Sequence, residues 1–146
     1  MSTVLLVDDD LENRWALQLA LESRGHRVVL AENGSDALQK AHAHFPELVI
    51  TDFEMPEMDG GEFCRRLKCG GGAAFSDVPV VLLSAVPEPE GIRCWTVFLR
   101  KPAAIERLLD TVDKFIAARL TYARAPREFE YQTAARWQAV DSRCWP

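Results

Sequence analysis

The chain has 146 residues, of which 48% are hydrophobic and 27% charged, and its formal net charge is −5. This length and composition predict one globular domain that buries its own core. The acidic balance disfavours direct nucleic-acid binding. No secretory signal begins the chain and no apolar run approaches membrane-spanning length, so we expect a cytoplasmic protein that does not enter membranes.

Apolar runs of strand length alternate with amphipathic runs of helical period. They predict, in chain order, strands over 3–7, 27–31, 48–51, 79–83 and 97–100, with helices over 11–23, 35–44, 60–68 and 103–119. Such alternation indicates an α/β fold with a doubly wound parallel sheet of five strands. In the first helix we expect Trp15, Leu19 and Leu11 to form the buried stripe, with Leu17 and Leu21 adjoining it.

Three carboxylates follow two of the predicted strands. Asp8 and Asp9 come directly after Val4–Val7, and Asp52 follows the apolar run 48–51. If these strands are neighbours in a parallel sheet, all three side chains meet at its carboxyl edge. Three carboxylates so close repel one another unless a cation joins them, and oxygen ligands suit Mg²⁺. The pattern therefore points to phosphate chemistry on an aspartate.

Two further strand ends bring a hydroxyl and an ammonium group to the same edge, at Ser84 and Lys101. At this point the chain resembles the receiver domain of two-component response regulators, the CheY-like family. The resemblance covers about residues 1–120. It rests on four motifs in the family's order: Val7-Asp8-Asp9-Asp10, Asp52-Phe53-Glu54-Met55-Pro56-Glu57-Met58-Asp59-Gly60, Leu83-Ser84-Ala85 and Arg100-Lys101-Pro102.

The resemblance implies a flavodoxin-like sheet with strand order 2-1-3-4-5, and a phosphoprotein of a two-component phosphorelay. Asp52 would be the phosphoacceptor. Asp8, Asp9 and Asp52 would hold Mg²⁺, helped by the backbone carbonyl of Glu54. The phosphoryl donor would be a histidine kinase or a histidine phosphotransfer protein.

The resemblance also implies roles for residues near the fourth and fifth strands. Ser84 and Lys101 would bind the phosphoryl oxygens, which agrees with the need to neutralise charge in phosphoryl transfer. In the family's switch, Ser84 moves to the phosphoryl group while an aromatic residue at the position of Phe98 rotates inward. Phe98 is equally interpretable as an ordinary strand aromatic.

Taken singly, each of these residues has an ordinary structural interpretation. Asp10 is expected to be an N-cap of the first helix, and an Asp after a strand is often a turn residue. Together the motifs favour a signalling module rather than an enzyme, one that assists its own phosphorylation and dephosphorylation. A hydrolase of the aspartyl-phosphate type would place a second Asp where Glu54 stands.

The segment between the fourth and fifth strands departs from the family. A receiver normally has a full helix there, but Pro87, Pro89 and Gly91 leave little room for one. We expect this helix to be shortened or absent, replaced by an irregular loop or a single turn. The surface that would transmit phosphorylation is altered accordingly.

Residues 121–146 lie outside the receiver pattern, as a C-terminal extension too short for a separate effector domain. Phe129, Trp137 and Val140 are spaced as on one face of a helix over 128–140. We expect this helix to pack over the region left bare by residues 85–95 or to pair with a second subunit in a homodimer; the other interpretation is a disordered tail.

The sequence thus predicts a stand-alone response regulator receiver that signals through phosphorylation-dependent contacts with a downstream protein. The alternative is an atypical receiver-like interaction module that works without phosphorylation.

Overall fold

The computed structural model describes residues 2–70, 74–91, 93–102 and 104–123. The elements alternate as predicted, with boundaries that differ by a few residues. In chain order they are β1 (Thr3–Val7), α1 (Leu11–Ser23), β2 (Arg27–Ala31), α2 (Gly34–His44), β3 (Leu48–Asp52), α3 (Gly60–Gly70), β4 (Val80–Ser84), β5 (Val97–Arg100) and α4 (Ile105–Ala123).

The five strands form one sheet in the order β2-β1-β3-β4-β5, and every neighbouring pair is parallel. Both the doubly wound fold and the order 2-1-3-4-5 are therefore confirmed. All five residues of β3 and of β4 are buried. Burial on both faces explains why these strands read as continuous apolar runs rather than as alternating patterns.

Helices cover both faces of the sheet. On one face α2 and α3 pack through side chains such as Ala41, Phe63 and Leu67. On the other face α1 and α4 pack through Leu21 and a set of α4 residues, Leu108, Leu109, Val112 and Ile116. Each helix thus buries one stripe, which is the usual source of helix stability in a globular domain.

The connection between β4 and β5 contains no helix in its described part, residues 85–91 and 93–96. This confirms the expected absence. The connection is held by Glu88, whose carboxylate accepts hydrogen bonds from Arg93 at 2.8 Å and from the Trp95 ring nitrogen at 2.7 Å. Trp95 and Cys94 pack against the core on the α2–α3 face, so this segment covers part of the region that a helix would cover.

The predicted buried stripe of α1 is wrong. Leu11, Trp15 and Leu19 are 68%, 63% and 52% exposed, whereas Leu21 is buried and Leu17 is packed against the core. The apolar residues of α1 occupy more than one stripe, so helical periodicity does not select the buried one. Packing of the Leu17–Leu21 side against the sheet and α4 selects it.

The helix predicted over 128–140, with its docking, lies outside the described residues and stays a prediction. Among the residues that the structure describes, no helix combines the length and the apolar character needed to cross a membrane.

Candidate functional site

Three carboxylates meet at the carboxyl edge of the sheet. Asp8 follows β1 and Asp52 ends β3, and the parallel register that pairs Val7 with Thr51 makes these two aspartates neighbours. One ligand oxygen each from Asp8, Asp9 and Asp52 lies within 4.8 Å of the other two. The predicted convergence of these residues is therefore present in the structure.

The three consecutive aspartates differ in what they contact. Asp10 caps α1, because its carboxylate accepts a hydrogen bond from the amide of Glu12 at 2.9 Å. The Asp10 amide donates in turn to the Asp8 carboxylate at 2.9 Å. Asp8 is buried and Asp9 is exposed. Asp10 is thus structural, while Asp8 and Asp9 each direct a carboxylate oxygen into the cluster.

Lys101 approaches the same carboxylates from the end of β5. Its Nζ lies 2.7 Å from Oδ1 of Asp52, and the Asp52 side chain is only 7% exposed. Burial alone would lower the pKa of Lys101, but the hydrogen bond and the attraction of the carboxylates raise it above the ordinary value. Lys101 therefore brings a positive charge to the site.

Burial raises the pKa of both Asp8 and Asp52 above its ordinary value. Lys101 opposes this rise at each carboxylate, whereas the other carboxylates add to it. One lysine thus balances only part of the negative charge gathered here. Oxygen ligands on partly desolvated carboxylates fit a hard divalent cation such as Mg²⁺.

Gly60 allows α3 to start close beneath the site. A Cβ on this residue would lie 2.4 Å from the backbone oxygen of Asp52 and 2.9 Å from Leu82. The amide of Gly60 donates to the carbonyl oxygen of Phe53 at 2.9 Å, which closes the loop after Asp52. This role of Gly60 was not predicted from the sequence. The only signal for it was the position of Gly60 between an acidic loop and the start of a helix.

Ser84 reaches the same edge but is bound to Glu54. Its hydroxyl donates to the Glu54 carboxylate at 2.7 Å, and the amides of Ala85 and Val86 donate to the same oxygen at 3.1 and 3.2 Å. Burial opposes the effect, but these hydrogen bonds lower the pKa of Glu54 below its ordinary value. The sequence had suggested a use only for the backbone carbonyl of Glu54, so this side-chain contact was missed.

Phe98 lies on β5, paired in register with Leu82, and is half-buried. Its ring centroid lies 6.3 Å from that of Trp95. The Phe98 ring is thus within contact range of Trp95, a residue of the connection that replaces the missing helix.

A cleft of about 470 Å³ opens beside the carboxylates. Its polar lining residues are Asp8, Asn13 and Lys101, and its apolar lining comes mainly from α1, β4 and α4, including Leu17 and Ile105. The acidic site is therefore reachable from the surface between α1 and α4.

A five-stranded parallel sheet with carboxylates and a lysine at its carboxyl edge defines a class of α/β proteins that bind ligands beyond their strand ends. The family model of the response regulator receiver domain matches residues 4–113. The chain belongs to this family of two-component signal transduction.

Relatives and solved structures agree. The chain is 38% identical over 85 residues to the transcriptional regulatory protein AfsQ1 of Streptomyces coelicolor, covering 58% of this chain but only 36% of AfsQ1. It is 32% identical to protein PilH of Pseudomonas aeruginosa over 123 residues, 80% of this chain and 99% of PilH. The chemotaxis protein CheY4 of Vibrio cholerae superposes with a TM-score of 0.70 at 30% identity, covering 79% of this chain and 98% of CheY4.

Proposed function

We propose that this receiver accepts a phosphoryl group on Asp52 from a histidine kinase or a histidine phosphotransfer protein. The observation that carries the proposal is the 2.7 Å contact between Lys101 Nζ and Asp52 Oδ1 beside two further carboxylates. A carboxylate oxygen of Asp52 would form the new bond to phosphorus while the bond from phosphorus to the donor's histidine nitrogen breaks.

The surrounding residues would neutralise the charge of this transfer. Asp8, Asp9, Asp52 and the backbone carbonyl of Glu54 would hold Mg²⁺. When bound, this ion supplies charge neutralisation and a template for the phosphoryl oxygens. Lys101, already beside the acceptor, would then bind a phosphoryl oxygen.

The response would begin at Ser84. In the described structure its hydroxyl is bound to Glu54, 2.7 Å away. A phosphoryl group on Asp52 offers stronger acceptor oxygens, so the hydroxyl would exchange Glu54 for phosphate. The released Glu54 and the connection after Ser84 would move, and Phe98 would rotate inward. These changes alter the surface that a downstream protein contacts.

The organisation of the protein follows the same proposal. Residues 1–120 would act as the receiver, with residues 121–146 as a C-terminal extension of it. The match along almost all of PilH supports a stand-alone receiver. The net charge of −5 supports protein partners rather than nucleic acid. The protein would act in the cytoplasm, as a monomer or a homodimer. The protein would assist its own phosphorylation and dephosphorylation without turning over a separate substrate.

The decisive experiment is incubation of the full chain with Mg²⁺ and a small phosphodonor such as acetyl phosphate, followed by intact-mass measurement. Wild type should gain one phosphoryl mass, and Asp52→Asn should gain none. Asp110→Asn is the matched control, because this α4 carboxylate is 74% exposed and lies outside the carboxylate cluster. An adduct that persists in Asp52→Asn would move the acceptor to another residue.

A second candidate is a receiver-like interaction module that works without phosphorylation. Two observations favour it. The described part of the β4–β5 connection lacks a helix, and the Glu54 carboxylate already accepts hydrogen bonds from the Ser84 hydroxyl and the Ala85 amide. If wild type gains no phosphoryl mass from the small donor or from a phosphotransfer protein, this candidate replaces the first.

A further inference from the structure

Another cleft, of about 260 Å³, lies between α3 and the connection that joins β4 to β5. We call it the aromatic cleft, because Phe53 of the loop before α3 and Trp95 of the connection both line it. Its further lining residues are Asp59, Gly61, Glu62, Arg65, Pro89 and Cys94. It shares no lining residue with the cleft beside Asp8, so it is a separate site.

Three groups converge on Gly61 in the aromatic cleft. A Cβ placed on Gly61 would lie 3.3 Å from Oδ1 of Asp59, 3.3 Å from the Phe53 ring and 3.5 Å from the Trp95 ring. The φ angle of Gly61 is not positive, so its backbone does not require glycine. What this glycine provides is space bounded by two rings and a carboxylate. Such space suits a flat group, because stacked planar groups lie about 3.5 Å apart.

The Trp95 ring is held in place by the connection. Its ring nitrogen donates a hydrogen bond to Glu88 at 2.7 Å, and Glu88 also accepts one from Arg93 at 2.8 Å. Trp95 and Phe53 are both half-buried, so each ring keeps part of its surface accessible. A ring that is already fixed loses little freedom when a ligand stacks on it.

Asp59 supplies the negative charge of the aromatic cleft. Its Oδ1 accepts a hydrogen bond from the Glu62 amide at 2.8 Å, at the start of α3. Glu62 in turn pairs with both nearby cations, Arg65 at 3.1 Å and Arg66 at 2.9 Å. Within the part of the chain that the structure describes, no cation pairs with Asp59, so its charge is available to a ligand.

The surface around the aromatic cleft is acidic as well. Residues 53–66 and 85–96, which form its two sides, contain six carboxylates and three arginines, a net charge of −3. A cation approaching this surface is attracted, and an anion is repelled. A ligand with several positive charges gains more from this surface than a ligand with one.

A guanidinium group matches these features together. It is planar, it stacks on aromatic rings, and its donors pair with a carboxylate in a fork geometry. A compact ammonium group carries the same charge but neither stacks nor forks. We propose that the aromatic cleft binds an arginine side chain from a basic segment of a partner protein. The contact does not require phosphorylation of Asp52, so it holds or fails independently of the proposed function.

An NMR titration of the full chain with N-acetyl-arginine amide tests the site. The Trp95 ring N–H and the Gly61 amide should shift in a saturable way, with a Kd on the order of millimolar for a single side chain. N-acetyl-citrulline amide has the same shape without the charge and should bind at least about fivefold more weakly. Equal binding of the two probes, or shifts confined to the Asp8 and Asp9 amides, would overturn the proposal.

Two variants act on the aromatic cleft without removing either ring. Gly61→Ala fills the space between the rings, and Asp59→Asn removes the charge but keeps a residue that caps α3 equally well. Each should weaken binding of N-acetyl-arginine amide by about fivefold or more. Unchanged affinity in either variant would contradict the proposed site.

Each variant has a matched control. Gly70→Ala adds a Cβ at another α3 glycine, where nothing lies within 4 Å of it. Asp110→Asn removes a carboxylate of α4 that is 74% exposed. Both controls should bind the probe as wild type does, and a loss of the same size in them would show that the effect is not specific to the aromatic cleft.

Two further probes test the identity of the ligand. N-acetyl-lysine amide should bind at least about threefold more weakly than the arginine amide, because it does not stack. An acetylated peptide amide with one arginine between two pairs of lysines should bind at least about fivefold more tightly at low salt, and this gain should vanish at about 0.5 M NaCl. Equal binding of lysine would overturn the assignment to arginine, and a peptide no tighter than the single residue would overturn the basic partner segment.

Discussion

The two halves of the carboxyl edge are held in different ways. The acceptor half consists of Asp8, Asp9, Asp52 and Lys101. It is positioned by strands that pair in fixed register, and Lys101 already contacts Asp52 at 2.7 Å. The loop half consists of Glu54, Ser84 and the connection that follows Ser84. It is held by hydrogen bonds from the Ser84 hydroxyl and the two amides after it to the Glu54 carboxylate.

This difference separates the residues proposed for phosphoryl transfer from the residues proposed for the conformational response to it. Groups fixed by the sheet lose little freedom when a phosphoryl group arrives, so the acceptor half is preorganised. Ser84 must instead exchange one partner for another, and such exchange suits a two-state element. We therefore expect substitutions in the acceptor half to affect phosphorylation strongly, and substitutions in the loop half to affect it modestly.

The largest effect is expected for Lys101→Ala. Removing the positive charge beside Asp52 should slow phosphorylation by about a hundredfold, the loss typical of a preorganised electrostatic group. Rates of adduct formation by mass spectrometry measure it. Lys114→Ala, which removes an exposed lysine of α4, is the control. A Lys101→Ala protein that reacts at the wild-type rate would show that the acceptor half is not preorganised.

Gly60→Ala should disturb the acceptor half through its backbone. The new Cβ would meet the Asp52 carbonyl oxygen at 2.4 Å, so α3 or the end of β3 must shift. We expect the free energy of unfolding to fall by about 1–3 kcal/mol, as in other overpacked sites. Urea unfolding measures it. Gly70→Ala, where nothing lies within 4 Å of the new Cβ, should change stability little; equal losses in both would remove the packing argument.

Asp9→Asn should weaken Mg²⁺ binding by about tenfold, because one of three carboxylates loses its charge. Titration followed by tryptophan fluorescence or NMR measures the affinity. Asp10→Asn removes the same charge one residue away but keeps the cap of α1, since Asn caps as well as Asp. If both variants bind Mg²⁺ alike, the effect is general electrostatics rather than ligation by Asp9.

The smallest effect is expected in the loop half. Glu54→Ala keeps the backbone carbonyl but removes the carboxylate that binds the Ser84 hydroxyl and the amides after it, so phosphorylation should become about two- to tenfold faster. The control is Glu90→Ala, an exposed carboxylate of the same connection. A slower Glu54→Ala protein would mean that Glu54 supports the reaction rather than competing with it.

Residues at strand ends were placed correctly from the sequence, whereas the side-chain contact between Glu54 and Ser84 was not predicted. Asp8, Asp52, Ser84 and Lys101 could be placed at one edge because each directly follows or ends a strand, and parallel strands share their carboxyl ends. The contact from Glu54 to Ser84 joins residues 30 positions apart, and no periodicity reports it.

What the sequence determined by itself is local: the strand runs, the Asp10 cap, and the prolines that exclude a helix after Ser84. These follow from backbone sterics and hydrogen bonding within a few residues. The tertiary structure decided which side of α1 is buried, because apolar residues surround much of that helix and only packing against the sheet and α4 distinguishes Leu21 from Trp15. It also decided that Glu54 holds Ser84, because that contact requires β3 and β4 to lie side by side.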